Sequence, residues 1–395
     1  MEYVDILIVG GGMVGSALAS ALSGKGLSIA VLEQAAPQPF DSAQPPDLRV
    51  SAISPASASL LDELGAWQDI LAMRAAPYRR MQVWEDQESN GTLFDAAEAG
   101  VEALGHIVEN RIVQLATTAC LQQKSDIRYL CPARINAIVY EPKASRVTLE
   151  DGSVLVARLL VAADGARSQV RDAAGIGITS WDYPMHALVA SCEMDYGQQD
   201  ITWQRFTASG PQAFLPLTGS HASLVWYNTP TEVKRLLALS DEALVSAFCA
   251  HFPQKLGGIR QLLARGSFAL TRRHAACYVK DGVVLAGDAA HTIHPLAGQG
   301  VNLGFQDVAV LAEVIGDAVS EGRDFADASV LKRYERRRKP ANLAMQTGMD
   351  AFCYGFANNI GPLKAARKLG LKLADKAGPL KREVIRYALG LPRGA

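Results

Sequence analysis

The period of the apolar positions changes along the chain, and each change marks an element. Val4 to Val9 is apolar but for Asp5, the pattern of a short buried parallel strand. Ser16 to Leu22 is a run of small and apolar residues that suits a tightly packed helix, and Ser28 to Leu32 reads as a second strand. Ser57 to Leu64 reads as a helix stopped by Gly65, and residues 109–123 have helical spacing with Ile112, Leu115, Ala116 and Ala119 on one face. Tyr78 to Trp84 has strand spacing and leaves the first domain. Residues 127–163 read as a meander, with Asp151-Gly152 turning between Arg146–Leu149 and Val154–Ala162. From Trp181 to about Arg265 the alternation is strand-like and rich in aromatics, interrupted by one helix at Asp241–His251. It predicts a separate sheet with one face covering a pocket. Val283 to Ala286 then returns as a buried strand.

The fold class that follows is α/β: a discontinuous Rossmann-like domain, an inserted β-sheet substrate domain and a C-terminal helical region. The pieces are expected at 1–76, 101–180 and 271–330 for the first domain, 77–100 and 181–270 for the second, and 331–395 for the helical region.

The strand-to-helix junctions carry the candidate chemistry. Between the first strand and helix stands Gly10-x-Gly12-x-Val14-Gly15. Gly10 allows the tight turn, Gly12 lets a pyrophosphate approach the backbone, and Gly15 lets helix and strand pack closely. The free N–H groups and positive dipole end of the helix then face phosphate. Glu33, 18 residues beyond Gly15, ends the second strand where an acid accepts hydrogen bonds from an adenosine ribose. A phosphate-free Rossmann-like unit would share the glycines; the full order of strand, glycines, helix, strand and acid points to a dinucleotide.

A later junction runs Gly287-Asp288-Ala-Ala-His291-Thr-Ile-His294-Pro295-Leu-Ala-Gly298-Gln-Gly300-Val301-Asn302. An Asp at a strand end can accept a bond from a ribityl hydroxyl. Pro295 stiffens the loop, and Gly298 and Gly300 let backbone approach a flat ring before a helix begins near Asn302. His291 and His294 have HxxH spacing without a third ligand in sight, so helix-start or packing roles are expected and no metal.

Composition narrows the class. The chain is 49% apolar and 20% charged with a net charge of −1, which argues against nucleic-acid binding. From Leu331 onward, however, 15 Lys and Arg face 4 Asp and Glu, a net +11 against −12 for the preceding residues. Such a basic tail suits an acidic partner or anionic lipid. Within it, Leu331–Lys339 reads as a solvated helix face broken by Pro340. Residues 362–373 read as a basic amphipathic helix that would lie on a membrane, dock a partner or pack on the domain. The six cysteines have no CxxC spacing and read as buried free thiols. With no signal peptide and no apolar run of about 18 residues, a cytoplasmic location is expected, peripheral to the inner face of a membrane.

The glycine motif, the Asp164-Gly165 loop, and Gly287-Asp288 with Pro295 and Gly298-Gln-Gly300 resemble the three motifs of class A flavoprotein aromatic hydroxylases, the p-hydroxybenzoate hydroxylase fold. The resemblance extends along nearly the whole chain. Gly-Asp-Ala-Ala-His-Thr-Ile-His-Pro-Leu-Ala-Gly-Gln-Gly-Val-Asn-Leu-Gly is especially similar to the ubiquinone-biosynthesis hydroxylases. Pro77-Tyr-Arg-Arg80, Leu270-Thr-Arg-Arg-His274 and Leu380-Lys-Arg…Tyr387-Ala-Leu-Gly-Leu391 most resemble the members acting at ring carbon 6 on 2-polyprenyl-3-methyl-6-methoxy-1,4-benzoquinol.

The resemblance implies FAD, with NAD(P)H as a transient donor. It places Gly12 and Gly15 at the pyrophosphate, Glu33 at the ribose, Asp288 at the ribityl or pyrophosphate region and Gly298 to Asn302 at the isoalloxazine. Asp164 is implied near FAD or NAD(P)H, Arg49 near the pyrophosphate, and Arg111 near the cofactor. Phe214, Leu215, Pro216 and Leu217 are expected on the strand facing the flavin, with Trp203 and Trp226 as further pocket candidates beside Pro295. The implied reaction is ring hydroxylation through a C4a-hydroperoxyflavin, with the protein orienting the quinol and excluding water. Two other readings stay open: hydroxylation of a small soluble phenol, and a flavin-stabilised assembly subunit of a quinone-biosynthesis complex.

Overall fold

The computed structural model describes residues 1–356 except 86, 89, 90, 294–297 and 299, and beyond these residues 378, 381–383, 386, 389 and 390. Pro295, His294 and the helix expected at 362–373 lie outside the described residues.

Three sheets organise the chain. The first is built on Glu2–Val9, which lies parallel to Val154–Ala162 on one side and Ile29–Leu32 on the other. Ile127–Leu130 and Val283–Leu285 extend it in parallel at either side. Ile6, Leu7 and Ile8 are wholly buried, as a strand covered on both faces requires. Helices Met13–Leu22, Asn110–Gln122 and Gly300–Ser320 bury their apolar stripes in the same core.

The second sheet pairs two 17-residue strands, Ile178–Met194 and Ile259–Ala275, and continues through His221–Asn228, Gly210–Pro216, Ile201–Thr207, Arg80–Trp84 and Thr92–Asp95. Alternation divides its residues between two faces. Leu188, Trp203, Phe214, Leu224 and Trp226 pack beneath helices Pro230–Leu237 and Asp241–His251. Ala187, Val189, Ala213, Val225 and Tyr227 form the other face. The helix Pro230–Leu237 was not anticipated, although Thr229 caps it by accepting from the Glu232 N–H at 3.3 Å and Pro230 occupies its first position. A small third sheet pairs Val50–Ile53, Gly105–Glu109 and Ala76–Tyr78.

The helix Ala328–Phe356 runs through Pro340 instead of breaking there. An interior proline costs about 3 kcal/mol by removing one backbone bond and crowding the preceding turn. Arg338, Asn342, Gln346 and Asp350, spaced four apart and all buried, fix one face of the helix on both sides of it. Arg338 is thus no solvated charge, while Arg333 and Arg337 of the same run pair with Asp317 and Glu313 at the surface. The thiols also divide: Cys120 and Cys192 are buried, Cys131 and Cys277 half-buried, and Cys249 exposed.

Candidate active site

The strand-to-loop junctions meet at one place. The Ala163 N–H donates to the Val9 carbonyl at 2.8 Å and the Ala286 N–H to the Ala162 carbonyl at 2.9 Å, so the three chain segments leave the sheet side by side. Gly10, at φ +100°, packs so tightly that a Cβ would stand 2.3 Å from the Ala163 carbonyl oxygen. A Cβ on Gly15 would lie 1.8 Å from the Gly10 oxygen. These two glycines are closeness requirements. Gly12 is different: a Cβ there would meet nothing within 4 Å. Val14 faces Gly287 and Gly304, and so joins the first junction to the last. Arg171 donates to the Ala289 carbonyl at 3.2 Å, tying in the loop after Asp164.

These segments border a cavity of about 680 Å3 that continues to the second sheet. Of the predicted cofactor set, Gly12, Val14, Arg49, Gly287, Asp288, Gly298, Gly300 and Val301 line it. Gly10, Gly15 and Glu33 lie behind the turn, where the Glu33 Cβ packs against Gly11. Asn302 is buried and pins the strand Val50–Ile53, donating to the Ala52 carbonyl at 2.7 Å and accepting from the Ser54 N–H at 3.0 Å.

Arg111 does not reach the cavity. Its guanidinium grips Asp47 at 2.7 Å and the Pro39 carbonyl at 2.8 Å, fastening the proline-rich loop of residues 36–46, and its neighbour Asn110 lines the cavity instead. Asp164 also stands outside. One carboxylate oxygen accepts from the Gln169 and Val170 N–H groups, and the other is buried without a partner among the described residues. Burial raises its pKa.

The substrate-side candidates separate by strand face. Leu215 lines the cavity, with Ala213, Ser223, Val225 and Tyr227. Phe214 and Trp226 point to the opposite face, where Trp226 meets Phe248 and Phe252. Trp203 borders the cavity, but its ring stacks on Phe214 with centroids 5.5 Å apart. Pro216 and Leu217 fall outside the lining. Period-two alternation, not aromatic character, decides which residues face the space.

Sequence reading missed the support of the Gly287-Asp288 loop. Asp307, wholly buried in Gly300–Ser320, accepts from the Gly287 N–H at 3.1 Å, His291 Nε2 at 2.6 Å, Arg338 Nε at 2.8 Å and Asn342 Nδ2 at 3.1 Å. Burial alone would raise the Asp307 carboxyl; His291 and Arg338 together hold it below its ordinary value. Asp288 opens onto the cavity but is crowded by protein, and this desolvation raises its pKa against the pull of His291, Arg49 and Arg273. On the helix Ala328–Phe356, Gln346 Oε1 accepts from His274 Nδ1 at 2.9 Å, and its Nε2 donates to the Arg273 and Thr292 carbonyls. Asp350 pairs with Arg272 and accepts from Tyr183. No group of three His, Cys, Asp or Glu among the described residues could hold a metal.

The cavity thus has a glycine-lined helix start at one end and a sheet face at the other. The family model described as FAD binding domain matches residues 3–348. Over 390 residues the chain is 47% identical to 3-demethoxyubiquinol 3-hydroxylase of Escherichia coli, covering 99% of both chains. This chain is an FAD-dependent monooxygenase of the ubiquinone-hydroxylase family.

A ubiquinone hydroxylase of Rhodospirillum rubrum is 39% identical over 389 residues, 98% of this chain and 90% of that one. The mitochondrial ubiquinone biosynthesis monooxygenase of Homo sapiens is 34% identical over 434 aligned positions, 97% and 92% of the two chains. The fold also matches solved structures of distant sequence. p-Nitrophenol 4-monooxygenase of Pseudomonas putida superposes with a TM-score of 0.78 at 21% identity over the whole of both chains. An FAD complex of Klebsiella pneumoniae HpxO (R204Q) gives 0.76 at 19% identity, with 98% of each chain covered.

The monooxygenase's own residues suit FAD. Helix Met13–Leu22 begins at Gly12 with neither a side-chain cap nor an acid in its first turn, so its N–H groups are left for an external acceptor. The bare Cα of Gly12 leaves the approach open. Asp288 supplies an acceptor farther along the same cavity, and Gly298, at φ +63°, holds its loop against Ala52 where a side chain would clash at 2.9 Å.

Proposed function

We propose that this monooxygenase hydroxylates the ring of a polyprenylated benzoquinol in ubiquinone biosynthesis. The observation that carries the reading is the full-length 47% identity to a 3-demethoxyubiquinol 3-hydroxylase. The composition of the cavity, polar at the glycine junctions and apolar on the sheet face, supports it. In the substrate name that the resemblance suggests, carbon 6 already carries the methoxy group. The position is therefore better stated as the one ring carbon still bearing hydrogen, between the methoxy carbon and a hydroxyl-bearing carbon.

In this reading the helix start at Gly12 holds the FAD pyrophosphate, Glu33 the adenosine ribose, Asp288 the ribityl chain, and Gly298 to Val301 the ring edge. Arg49 stands beside Asp288 and balances its charge and that of a phosphate. Bound FAD, reduced by NAD(P)H, supplies the activation of dioxygen. One oxygen atom enters the ring, the other leaves as water, and NAD(P)H provides two electrons. The chain's part is to orient the quinol against Leu215, Val225 and Tyr227 and to keep water from the reacting space. The quinol hydroxyl activates the ring. A lipid-borne substrate also suits the basic C-terminal region as a contact with a membrane surface or with partner enzymes; no helix among the described residues is long and apolar enough to cross a membrane.

Mass spectrometry of quinone-pathway lipids in cells lacking this chain tests the reading. Accumulation of the 3-methyl-6-methoxy-benzoquinol intermediate, reversed by the wild-type chain and not by a folded Asp288→Ala variant, is expected. A different under-hydroxylated lipid would move the ring position. A normal quinone pool would overturn the reading in favour of a soluble phenol, and rescue by the Asp288→Ala chain would favour an assembly role.

A further inference from the structure

Part of the cavity wall comes from the chain's C-terminal portion. Met345 and Met349 on the helix Ala328–Phe356 line it, and so does Leu389. Leu389 is 6% exposed and packs in a cluster with Tyr78, Leu104 and Leu217, against which Met81 and Phe94 lie. Met81 and Phe94 also pack with Met349 beside Val83 and Phe206. The two clusters therefore join into one apolar wall running from Leu389 to Met349. Both methionines and Phe94 are half-buried, as side chains that line an open cavity are.

Described residues on both sides of Leu389 are anchored. Lys381 Nζ lies 3.0 and 2.9 Å from the two Glu98 carboxylate oxygens, and the Lys381 side chain is only 6% exposed. Its ammonium stands 5.7 Å from the Phe94 ring centroid. Gly390 adopts φ +71°, and a Cβ there would press on Ala56 at 3.0 Å and the Gln306 side chain at 3.3 Å. The residue after Leu389 is thus seated on helices Pro55–Glu63 and Gly300–Ser320.

A quinol ring with oxygens around its edge has no use for a long wall of methionine, leucine and phenylalanine. An isoprenoid chain does, because every carbon placed there leaves water, and methionine thioethers adapt to its methyl branches. We infer that Leu389, Met349, Phe94 and Met81 form the subsite for the first isoprene units of the substrate tail, and that the Lys381–Glu98 pair positions Leu389 over it. The inference rests on the prenyl-quinol reading and gives that substrate's tail its binding place.

Calorimetry on the full-length, FAD-loaded protein tests it with two ligand series. One is benzoquinones carrying no, one, two or three isoprene units, which do not turn over without a reductant. The other is para-alkylphenols of matching chain lengths. Wild-type affinity should tighten about tenfold or more with the first unit in both series. Leu389→Trp fills the wall and should collapse the ratio between tailed and tail-less affinities. Met349→Trp, at a half-buried position, should do the same if the first variant folds poorly. Lys381→Met should weaken tailed ligands several-fold with tail-less ligands nearly unmoved, and Lys381→Arg should restore them. Wild-type affinity that ignores chain length, or variants that weaken both kinds of ligand equally, would overturn the subsite. Chain-length dependence with alkylphenols and no quinone binding would sink the prenyl-quinol reading and leave the apolar subsite standing. Quinones that bind through the ring alone would do the reverse.

Discussion

The two glycine-rich junctions lie against each other through Val14, yet they are built on different principles. The Gly10–Gly15 turn is made almost wholly of backbone. Its information is local, because the turn, the open approach and the close helix packing each need one missing Cβ within six residues. The segment Gly287 to His291 takes its shape from side chains farther along the chain: Asp307 holds the Gly287 N–H and His291, and is itself held by Arg338 and Asn342. A ligand-facing loop can be set by what is absent at its own positions or by a buried ionic anchor behind it. The first should fail by steric collision, the second by electrostatic exposure.

Collision gives the largest effect. Gly15→Ala puts a methyl 1.8 Å from the Gly10 oxygen, against backbone that cannot give. Loss of soluble, flavin-containing protein is expected, or destabilisation beyond about 4 kcal/mol if any folds. Gly12→Ala, with nothing within 4 Å, should melt near the wild-type temperature when both are flavin-free, and yet retain much less FAD. Flavin absorbance per protein together with apoprotein melting separates the two glycines. Equal behaviour would mean that the turn is one steric unit and that Gly12 has no special approach role.

The anchor comes next. Asp307→Asn leaves Arg338 and His291 beside a neutral group in a wholly buried place, for which a loss of about 3–5 kcal/mol is expected in denaturant titration. Adding Arg338→Met should recover a good part of that stability, since a buried pair replaced by apolar groups is often tolerated. FAD affinity should stay low, because the Gly287 N–H still lacks its carboxylate. Full recovery of both would show that the anchor is structural only.

This contrast also explains what the sequence could disclose. The order of strand, glycines, helix, strand and Glu33 is written in adjacent positions, and the first sheet follows it closely. Asp307 looks like an ordinary helix residue, and Arg338 sits in a run of charges whose default place is solvent. Only the four-residue spacing of Arg338, Asn342, Gln346 and Asp350 hinted at a shared buried face. Arg111 carries a related ambiguity: a guanidinium near a cofactor loop is equally suited to grip the loop, as its bonds to Asp47 and Pro39 show. Phe214 and Leu215 were both expected at the cavity, and alternation along Gly210–Pro216 puts Leu215 there and Phe214 on the opposite face.

The sheet faces can be separated in the same way, at smaller scale. Trp226→Ala removes a ring packed against Phe248 and Phe252, and should cost about 3 kcal/mol of stability with KM little changed. Leu215→Ala, half-buried on the cavity face, should cost less stability and raise KM several-fold. Melting curves and steady-state kinetics on both variants check the assignment. The opposite pattern would put the substrate on the helix-covered face.

The smallest effect concerns His274, which links the anchor helix to the cavity strand through Gln346. Burial lowers its pKa from 6.5 to about 4, with the Gln346 bond partly opposing. Between those values the unfolded chain binds a proton that the folded one refuses, so stability must fall as pH drops from about 6.5 towards 4 and be fully present above that window. The ring is only half-buried, and solvent screening leaves a shift of a few degrees in Tm, roughly, rather than the full linkage. His274→Asn keeps a donor for Gln346 and removes the titration. Between pH 7 and 4.5 its Tm should fall less steeply than the wild type's, while the two differ by a constant above pH 7. Parallel curves throughout would mean that His274 takes up its proton in the folded protein as readily as in the unfolded one. The contact with Gln346 would then be packing alone, and the coupling between the anchored loop and the cavity strand would rest on the Arg273 and Thr292 carbonyls.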